Sequence, residues 1–170
     1  MAENRSVTLN GQLVQLLGDE VKVDLKAPDA KVLDKELKEV SLSDSRGKIR
    51  IVASVPSLDT PICDMEIKRF DEFANHHMKD TDIIFVSMDL PFAQKRFCDI
   101  GNIERVMTFS DHRDGDFGMK YGVLVKDLRL LARAVFIIDK ENIVRHVEYV
   151  PEMASHPNYD KIFEVIENLK

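Results

Sequence analysis

The sequence contains no tryptophan, only two cysteines and no surplus of positive charge. Lys and Arg number 24 against 30 Asp and Glu, which gives a net charge of −6 and a pI of about 5.4. Binding to nucleic acid or to an anionic membrane needs an excess of Lys and Arg, so neither partner is expected. No apolar run reaches the roughly 20 residues that cross a bilayer, and residues 1–10 hold no apolar leader segment. The sequence therefore predicts a soluble, cytoplasmic protein.

Several short motifs of nucleotide and hydrolase chemistry are also missing. There is no Gly-x-Gly-x-x-Gly or Gly-x-x-x-x-Gly-Lys segment, so the backbone cradles that bind nucleotide phosphates are absent. No Gly-x-Ser-x-Gly elbow is present either. None of the five histidines lies within a few residues of Cys63 or Cys98, which argues against a zinc site. We therefore expect no cofactor and no metal.

The two cysteines leave two interpretations open at this point. Free cysteine is among the most buried residue types, so both thiols can be inert parts of the core. A static disulfide is not expected in a reducing cytosol, and two cysteines are too few to staple a small scaffold. The other interpretation is redox chemistry, and the local context of each cysteine has to decide between them.

The length and the residue pattern predict one α/β domain over residues 1–170. Hydrophobic residues make up 44% and charged residues 32%, a mixture typical of a globular chain of this size. Asn10-Gly11 between alternating apolar runs predicts an N-terminal β-hairpin. Parallel strands with helical crossovers, then an antiparallel hairpin and a closing helix, predict a mixed sheet flanked by helices. The predicted strands are 40–42, 49–55, 82–88, 106–110, 131–138 and 143–150, and the predicted helices are 62–77, 91–100, 117–121 and one starting at Pro157, with Gly101 as the residue after the second helix.

Cys63 falls at the beginning of a predicted helix that follows a buried strand. The carboxyl ends of such strands are where α/β sheets place ligands. Unpaired N–H groups and the positive end of the helix dipole favour the thiolate, the reactive form of cysteine. Thr60 stands where a Cys-x-x-Cys dithiol would have its first cysteine, so that motif is excluded. The Thr60 hydroxyl can cap the helix, hydrogen-bond beside the thiolate, or do both.

These residues resemble the active-site motif of the peroxiredoxins, Pro-x-x-x-Thr-x-x-Cys after a strand. The octad 57–64 is similar, more narrowly, to the thiol peroxidase subgroup, the atypical two-cysteine peroxiredoxins. Ala30 departs from the aromatic residue usual after Ala-Pro-Asp, which concerns local packing and not the chemistry. Other segments that fit the subgroup are spread over nearly the whole chain: 7–11, 26–29, 89–98, 110–113, 117–118, 121–123 and 131–136.

The resemblance implies a thioredoxin-like fold with an added N-terminal hairpin, and it implies a role for each site residue. Cys63 would be the peroxidatic cysteine, and Cys98 would resolve its sulfenic acid as an intramolecular disulfide. Thr60 would orient the peroxide and Pro56 would shield the thiolate from water. Arg133, on the predicted strand 131–138, would stabilise the thiolate and the charge that develops as the O–O bond breaks. A surface ion pair is the alternative role for Arg133, but that role does not account for the apolar residues on both sides of it in the sequence.

The implied activity is reduction of hydrogen peroxide and organic hydroperoxides, with thioredoxin as the reductant and a homodimer as the assembly. Apolar residues in the loop 110–122 are candidates for the dimer interface. A disulfide needs Cα atoms within about 7 Å, and two packed helices are not expected to allow that between Cys63 and Cys98. We therefore expect local unwinding around both cysteines during turnover. Slow resolution would leave the sulfenic acid open to overoxidation.

Three other functions compete with this interpretation. A redox sensor or chaperone-like binding protein could use the same disulfide as a switch, and only turnover with a reductant separates it from a peroxidase. An enzyme of thiol–disulfide exchange is disfavoured because Cys-x-x-Cys is missing. An inert domain would leave the combination of Thr60, Cys63, Cys98 and Arg133 as coincidence.

Overall fold

The computed structural model describes residues 4–45, 47–77 and 79–170, and these residues form two sheets and four α-helices. The strands are, in chain order, β1 (Ser6–Leu9), β2 (Gln12–Leu17), β3 (Lys31–Leu33), β4 (Glu39–Ser41), β5 (Ile49–Ser54), β6 (Thr81–Ser87), β7 (Val106–Ser110), β8 (Leu124–Val125), β9 (Ala134–Ile138) and β10 (Val144–Tyr149). The α-helices are α1 (Pro61–His77), α2 (Pro91–Gly101), α3 (Asp116–Lys120) and α4 (Tyr159–Leu169), and a 3₁₀ helix covers Leu42–Ser45. No helix in this part of the chain is long and apolar enough to cross a membrane.

The predicted N-terminal hairpin is confirmed. Strands β1 and β2 pair antiparallel, and the turn residues Asn10 and Gly11 both have positive φ, 51° and 81°. Two consecutive residues with positive φ give the tight hairpin turn that Asn-Gly favours. The hairpin belongs to a separate three-stranded sheet, in which β2 also pairs with β8.

The main sheet has the strand order β10-β9-β5-β6-β7-β3-β4. Strands β5, β6 and β7 run parallel, with α1 and α2 as the crossovers between them. Strand β9 pairs antiparallel with β5 on the other side and continues into a hairpin with β10. The predicted mixed sheet with parallel crossovers is therefore confirmed, and β5 lies at its centre, directly before the helix that carries Cys63.

Both faces of β5 are buried, as its nearly continuous apolar sequence predicts. Successive side chains point to opposite faces, so Ile51 and Ala53 belong to one core and Val52 to the other. The core on the Ile51 face includes buried side chains of α1 and α4, Ile67 and Ile162 among them. The opposite core contains residues of the hairpin, α3 and β9. Two apolar layers therefore hold the carboxyl end of β5 in place.

The structure corrects several predicted boundaries. The strand 131–138 begins only at Ala134, because the backbone before it turns away to pair with the segment around β8: Ala132 N–H donates to Val123 C=O at 2.8 Å, and Leu131 bridges Leu124. Arg133 therefore directly precedes β9 and is not part of it. The last helix begins at Tyr159, not at Pro157, with Asn158 as its N-cap.

Two further differences concern helix ends and short strands. Gly101 is the last residue of α2, and Asn102, with φ of 51°, takes the left-handed position that was predicted for Gly101. Leu42 starts the 3₁₀ helix instead of ending a strand. Strands β3 and β8, of three and two residues, have no recognisable pattern in the sequence and were not predicted. The single-domain organisation over residues 1–170 stays a prediction.

Candidate active site

Cys63 is the third residue of α1, within its first turn, and its side chain is fully buried. Its backbone N–H donates to Thr60 Oγ1 at 3.3 Å, the geometry of a threonine N-cap. The Thr60 hydroxyl donates in turn to Ser57 C=O at 3.3 Å. Thr60 therefore does cap the helix, and the cap fixes the position of Cys63 at the positive end of α1.

The Cys63 sulfur receives a hydrogen bond from Arg133. Arg133 Nη2 lies 3.1 Å from Cys63 Sγ, and its Nε donates to Met153 C=O at 3.0 Å. Its remaining donor arm, Nη1, forms an ion pair with Glu66. Arg133 is 1% exposed, so it is a buried cation and not the surface ion pair that was the alternative. Three partners fix the plane of the guanidinium against the sulfur.

Glu66 is the site residue that the sequence reasoning missed. It is fully buried, its Oε2 pairs with Arg133, and within the described residues its Oε1 has no hydrogen-bond partner. Burial raises the pKa of Glu66 from its ordinary value of 4.5 to about 7, against the lowering effect of Arg133. Its position three residues after Cys63 is a signal in the sequence for burial at the site, because residues three apart lie on the same face of a helix and Cys63 faces the core.

Arg133 keeps its charge in this cluster although it is buried. Burial acts to lower the pKa of Arg133, but the nearby Glu66 and Cys63 outweigh it and raise that pKa, so the guanidinium is always charged. A fixed cation in a site shielded from water stabilises negative charge on a neighbouring sulfur more strongly than it would in solvent. The arrangement can therefore hold a thiolate and stabilise an oxyanion beside it.

Pro56 lies in the loop that connects β5 to α1. Pro56 is buried and lies two residues beyond the end of β5. The carboxylate of Asp89, which follows β6, accepts hydrogen bonds from Ser57 Oγ at 2.7 Å and from Leu58 N–H at 2.8 Å. The loop between Pro56 and Thr60 is thus tied to the next crossover of the sheet.

Cys98 is buried in the last turns of α2 and lies apart from the cluster around Cys63. Its sulfur is 3.7 Å from Thr108 Oγ1 on β7. Both cysteines are free thiols in this structure. Of the five predicted site residues, the structure brings Cys63, Thr60 and Arg133 into contact and places Pro56 in the adjoining loop, but it does not bring Cys98 to them.

The register of the sheet orders the residues near the contact partners of the two thiols. Thr108, Phe85, Ala53 and Val135 lie in one row across β7, β6, β5 and β9. Three inter-strand spacings separate the ends of this row, about 14 Å. Cys98 contacts Thr108, at the β7 end of this row. Cys63 contacts Arg133, which directly precedes β9 at the other end. A disulfide needs Cα atoms within about 7 Å, and the local unwinding expected around both cysteines during turnover stays a prediction.

The loop 110–122 offers less apolar surface than the sequence suggested. Phe117 and Tyr121 are fully buried and stack with their ring centroids 4.5 Å apart. Met119 is the large apolar residue of this loop that is exposed, at 45%.

The fold and the site together define a thioredoxin-fold protein with a buried thiol beside a guanidinium at a helix start. The family model described as Redoxin matches residues 22–163. The chain is 48% identical over 159 residues to a thiol peroxidase of Halalkalibacterium halodurans, covering 94% of this chain and 95% of the relative. It is also 47% identical over 163 residues to a thiol peroxidase of Bacillus subtilis, covering 96% and 97%. The chain therefore belongs to the thiol peroxidase family, which confirms the resemblance seen in the sequence.

Solved structures agree with this assignment. A peroxiredoxin-like protein from Aquifex aeolicus superposes with a TM-score of 0.90 at 46% identity, covering 98% of both chains. A thiol peroxidase from Chromobacterium violaceum has a TM-score of 0.88 at 18% identity, covering 98% of this chain and 97% of the other. The second match shows that the fold persists where most of the sequence differs.

Proposed function

We propose that this chain reduces hydrogen peroxide and organic hydroperoxides, with Cys63 as the peroxidatic and Cys98 as the resolving cysteine. The observation that carries the proposal is the contact of Arg133 Nη2 with Cys63 Sγ at 3.1 Å, at the start of a helix capped by Thr60. An inert core cysteine has no need of a buried guanidinium on its sulfur, and burying that charge is costly.

In the first step the Cys63 thiolate attacks one oxygen of the hydroperoxide, and the O–O bond breaks. The sulfur is oxidised to a sulfenic acid, and the other oxygen leaves as water or an alcohol after taking up a proton. Arg133 stabilises the thiolate and the oxygen that gains negative charge. The Thr60 hydroxyl orients the peroxide by exchanging its bond to Ser57 for one to the substrate, and Pro56 keeps bulk water from the sulfur.

In the second step the Cys98 thiol attacks the sulfenic sulfur, and water leaves as the intramolecular disulfide forms. A dithiol then reduces this disulfide through a mixed disulfide, and family resemblance makes thioredoxin the proposed reductant. The cycle uses two electrons from the external dithiol for each hydroperoxide. None of its steps calls for a metal, haem or flavin.

We also propose a homodimer and a cytoplasmic location, as the family resemblance implies. Within the loop 110–122, the exposed Met119 is the candidate residue for the dimer interface. Light scattering of the purified chain measures the mass of the assembly, and comparison with Met119→Glu tests that surface. A monomeric wild-type protein would contradict the dimer without touching the chemistry.

The chemistry is tested by giving one equivalent of hydrogen peroxide to the fully reduced protein, with Cys63→Ser and Cys98→Ser as matched variants. Intact mass and peptide mapping are expected to show the loss of two hydrogens and a Cys63–Cys98 link in the wild type. Cys98→Ser should trap a sulfenic acid on Cys63, and Cys63→Ser should remain unmodified. Two intact thiols in the wild type after prolonged exposure would refute the proposal.

A kinetic arm separates a peroxidase from a redox sensor. With thioredoxin, its reductase and NADPH, a peroxidase consumes many equivalents of peroxide per protein molecule. A sensor forms the same disulfide but does so slowly and without sustained turnover.

A further inference from the structure

The two cysteine-bearing segments are joined by hydrogen bonds that the proposed chemistry does not use. These bonds meet at Asp89, in the loop between β6 and α2. Its Oδ1 accepts from Ser57 Oγ at 2.7 Å, and its Oδ2 accepts from Leu58 N–H at 2.8 Å and from Ser87 Oγ at 2.7 Å. Donors from two different parts of the chain therefore converge on one half-buried carboxylate.

On one side the network leads to Cys63. Ser57, whose hydroxyl donates to Asp89, accepts at its carbonyl from the N–H and the hydroxyl of Thr60, each at 3.3 Å. The Thr60 hydroxyl accepts in turn from the N–H of Cys63. The loop that caps α1 is thus held from outside by the Asp89 carboxylate.

On the other side the network leads to the helix of Cys98. Ser87 Oγ, a donor to Asp89, accepts from Gln94 Nε2 at 3.0 Å, and Gln94 Nε2 also donates to Phe109 C=O at 2.8 Å. Gln94 is fully buried and lies four residues before Cys98, on the same face of α2. In addition, Ser110 Oγ of β7 donates to the backbone C=O of Asp89 at 2.5 Å.

We propose that Asp89 is a positioning residue that couples the Cys63 loop to the Cys98 helix, so that the two segments open and close together. The proposal rests on the proposed function, in which both segments have to move. Opening of the Cys63 loop breaks the bonds of Ser57 and Leu58 to the carboxylate, and opening of the Cys98 helix breaks the bond of Gln94 to Ser87 Oγ. Because Ser87 Oγ also donates to Asp89, each opening weakens the hydrogen bonds that hold the other segment, and the second opening becomes easier. Such a coupling is reciprocal, because each segment changes the opening equilibrium of the other by the same factor.

The coupling has a consequence for the chemistry of the site. The folded arrangement holds Cys63 against Arg133 for reaction with peroxide, whereas the open arrangement lets Cys98 reach the sulfenic acid. The coupling through Asp89 disfavours, by the same factor, the state in which Cys63 is displaced from Arg133 while Cys98 stays buried against Thr108. The sulfenic acid therefore leaves its pocket mainly when its resolving partner is free to attack.

The test changes one segment and measures the other, in reduced protein without peroxide. In a Cys63→Ser background, the rate at which N-ethylmaleimide alkylates Cys98 reports opening of α2, because this thiol is 3% exposed when folded. Ser57→Ala removes a bond on the distant segment and should raise this rate about 10-fold, which corresponds to about 1.4 kcal/mol. Asp89→Asn should raise it at least as much, and adding Ser57→Ala to Asp89→Asn should add little.

Asp34→Asn weakens a surface turn in which Asp34 Oδ1 accepts from two backbone N–H groups at 2.9 Å, and it should leave the Cys98 rate unchanged. An unchanged rate in Ser57→Ala would overturn the coupling, whatever Asp89→Asn does. An equal rise in Asp34→Asn would also overturn it, because general destabilisation would then explain the effect.

The reciprocal arm uses a Cys98→Ser background, in which Gln94→Ala should accelerate alkylation of Cys63. If Gln94→Ala proves unfolded by circular dichroism, the Ser57→Ala arm decides alone. Neither arm contains peroxide or a reductant, so a failure of the proposed peroxidase activity would leave these rates, and their interpretation as coupled opening, unaffected.

Discussion

Arg133 Nη2 lies 3.1 Å from Cys63 Sγ, although the two residues are 70 positions apart in the chain. Two features of the fold produce this contact: β9 pairs antiparallel with β5, and the loop after β5 turns directly into α1. Residues just before β9 therefore reach the carboxyl end of β5, where the first turn of α1 begins. The meeting of a helix start with a buried guanidinium is thus a property of the sheet topology.

The first prediction concerns the shape of the cation at Arg133. Arg133→Lys keeps the charge but cannot bond Met153 C=O, Glu66 and Cys63 at once in a fixed plane. We expect kcat/KM for hydrogen peroxide to fall at least about 100-fold, the usual loss when an oxyanion-stabilising donor is removed. Steady-state kinetics with hydrogen peroxide measure the effect.

The matched control for this change is Arg113→Lys, in an exposed ion pair with Glu39 and Asp114. It should keep wild-type kcat/KM, since such pairs contribute little to stability or chemistry. Wild-type kinetics in folded Arg133→Lys would show that the planar guanidinium is not needed.

The second prediction separates the two roles of Thr60. Thr60→Val removes the acceptor for the Cys63 N–H and the hydroxyl that would orient the peroxide, whereas Thr60→Ser keeps both. We expect Thr60→Val to lose about 1 kcal/mol in the free energy of unfolding, the usual cost of a lost N-cap, and to lose most of its peroxidase activity. Urea denaturation and peroxide kinetics of both variants give the answer. Equal activity in Thr60→Val and Thr60→Ser would leave capping as its only role.

The local part of the site could be predicted from the sequence, because the signals for it are local. A buried strand, a Pro-containing turn and a helix start within one octad place Cys63 and Thr60 without knowledge of the rest of the chain. Arg133 was found through resemblance and its apolar neighbours, but its place before β9 depends on pairing around β8, two residues with no pattern of their own.

Long-range polar partners could not be predicted in the same way. In the sequence, Glu66 is an acidic residue near a helix start, where it interacts favourably with the helix dipole. Only the approach of Arg133, directly before β9, makes it part of the site. Asp89 likewise reads as a turn residue before Pro91, yet its carboxylate bonds Ser57 and Leu58, which precede it by about thirty residues. A carboxylate carries no sequence signal for a partner that far away, because the parallel crossover alone brings them together.

The third prediction follows from the burial of Glu66. Its pKa of about 7 in the folded protein exceeds the 4.5 of an exposed glutamate, because burial disfavours the charged form. Between these pH values the unfolded chain has released a proton that the folded protein keeps. The stabilising contribution is therefore complete below about pH 4.5 and is lost as the pH rises through 7.

Glu66→Gln removes this titration while keeping an oxygen that can accept from Arg133. Wild-type stability should fall relative to this variant between pH 5 and pH 8, by up to about 3 kcal/mol. Urea denaturation followed by circular dichroism at both pH values measures the difference. Curves that stay parallel for the two proteins would contradict a raised pKa.

The fourth prediction concerns the movement that disulfide formation requires. The side chains that contact Cys63 and Cys98 lie beside opposite ends of a row of four strands, so we expect both helix segments to unwind locally before the bond forms. Hydrogen exchange should accelerate at residues 56–66 and 91–101 on oxidation, while β5 and β6 stay protected. Oxidised Cys98→Ser serves as the control, because it carries the sulfenic acid without the disulfide and should show far less change. Equal exchange in reduced and oxidised wild type would mean that the thiols meet without unwinding.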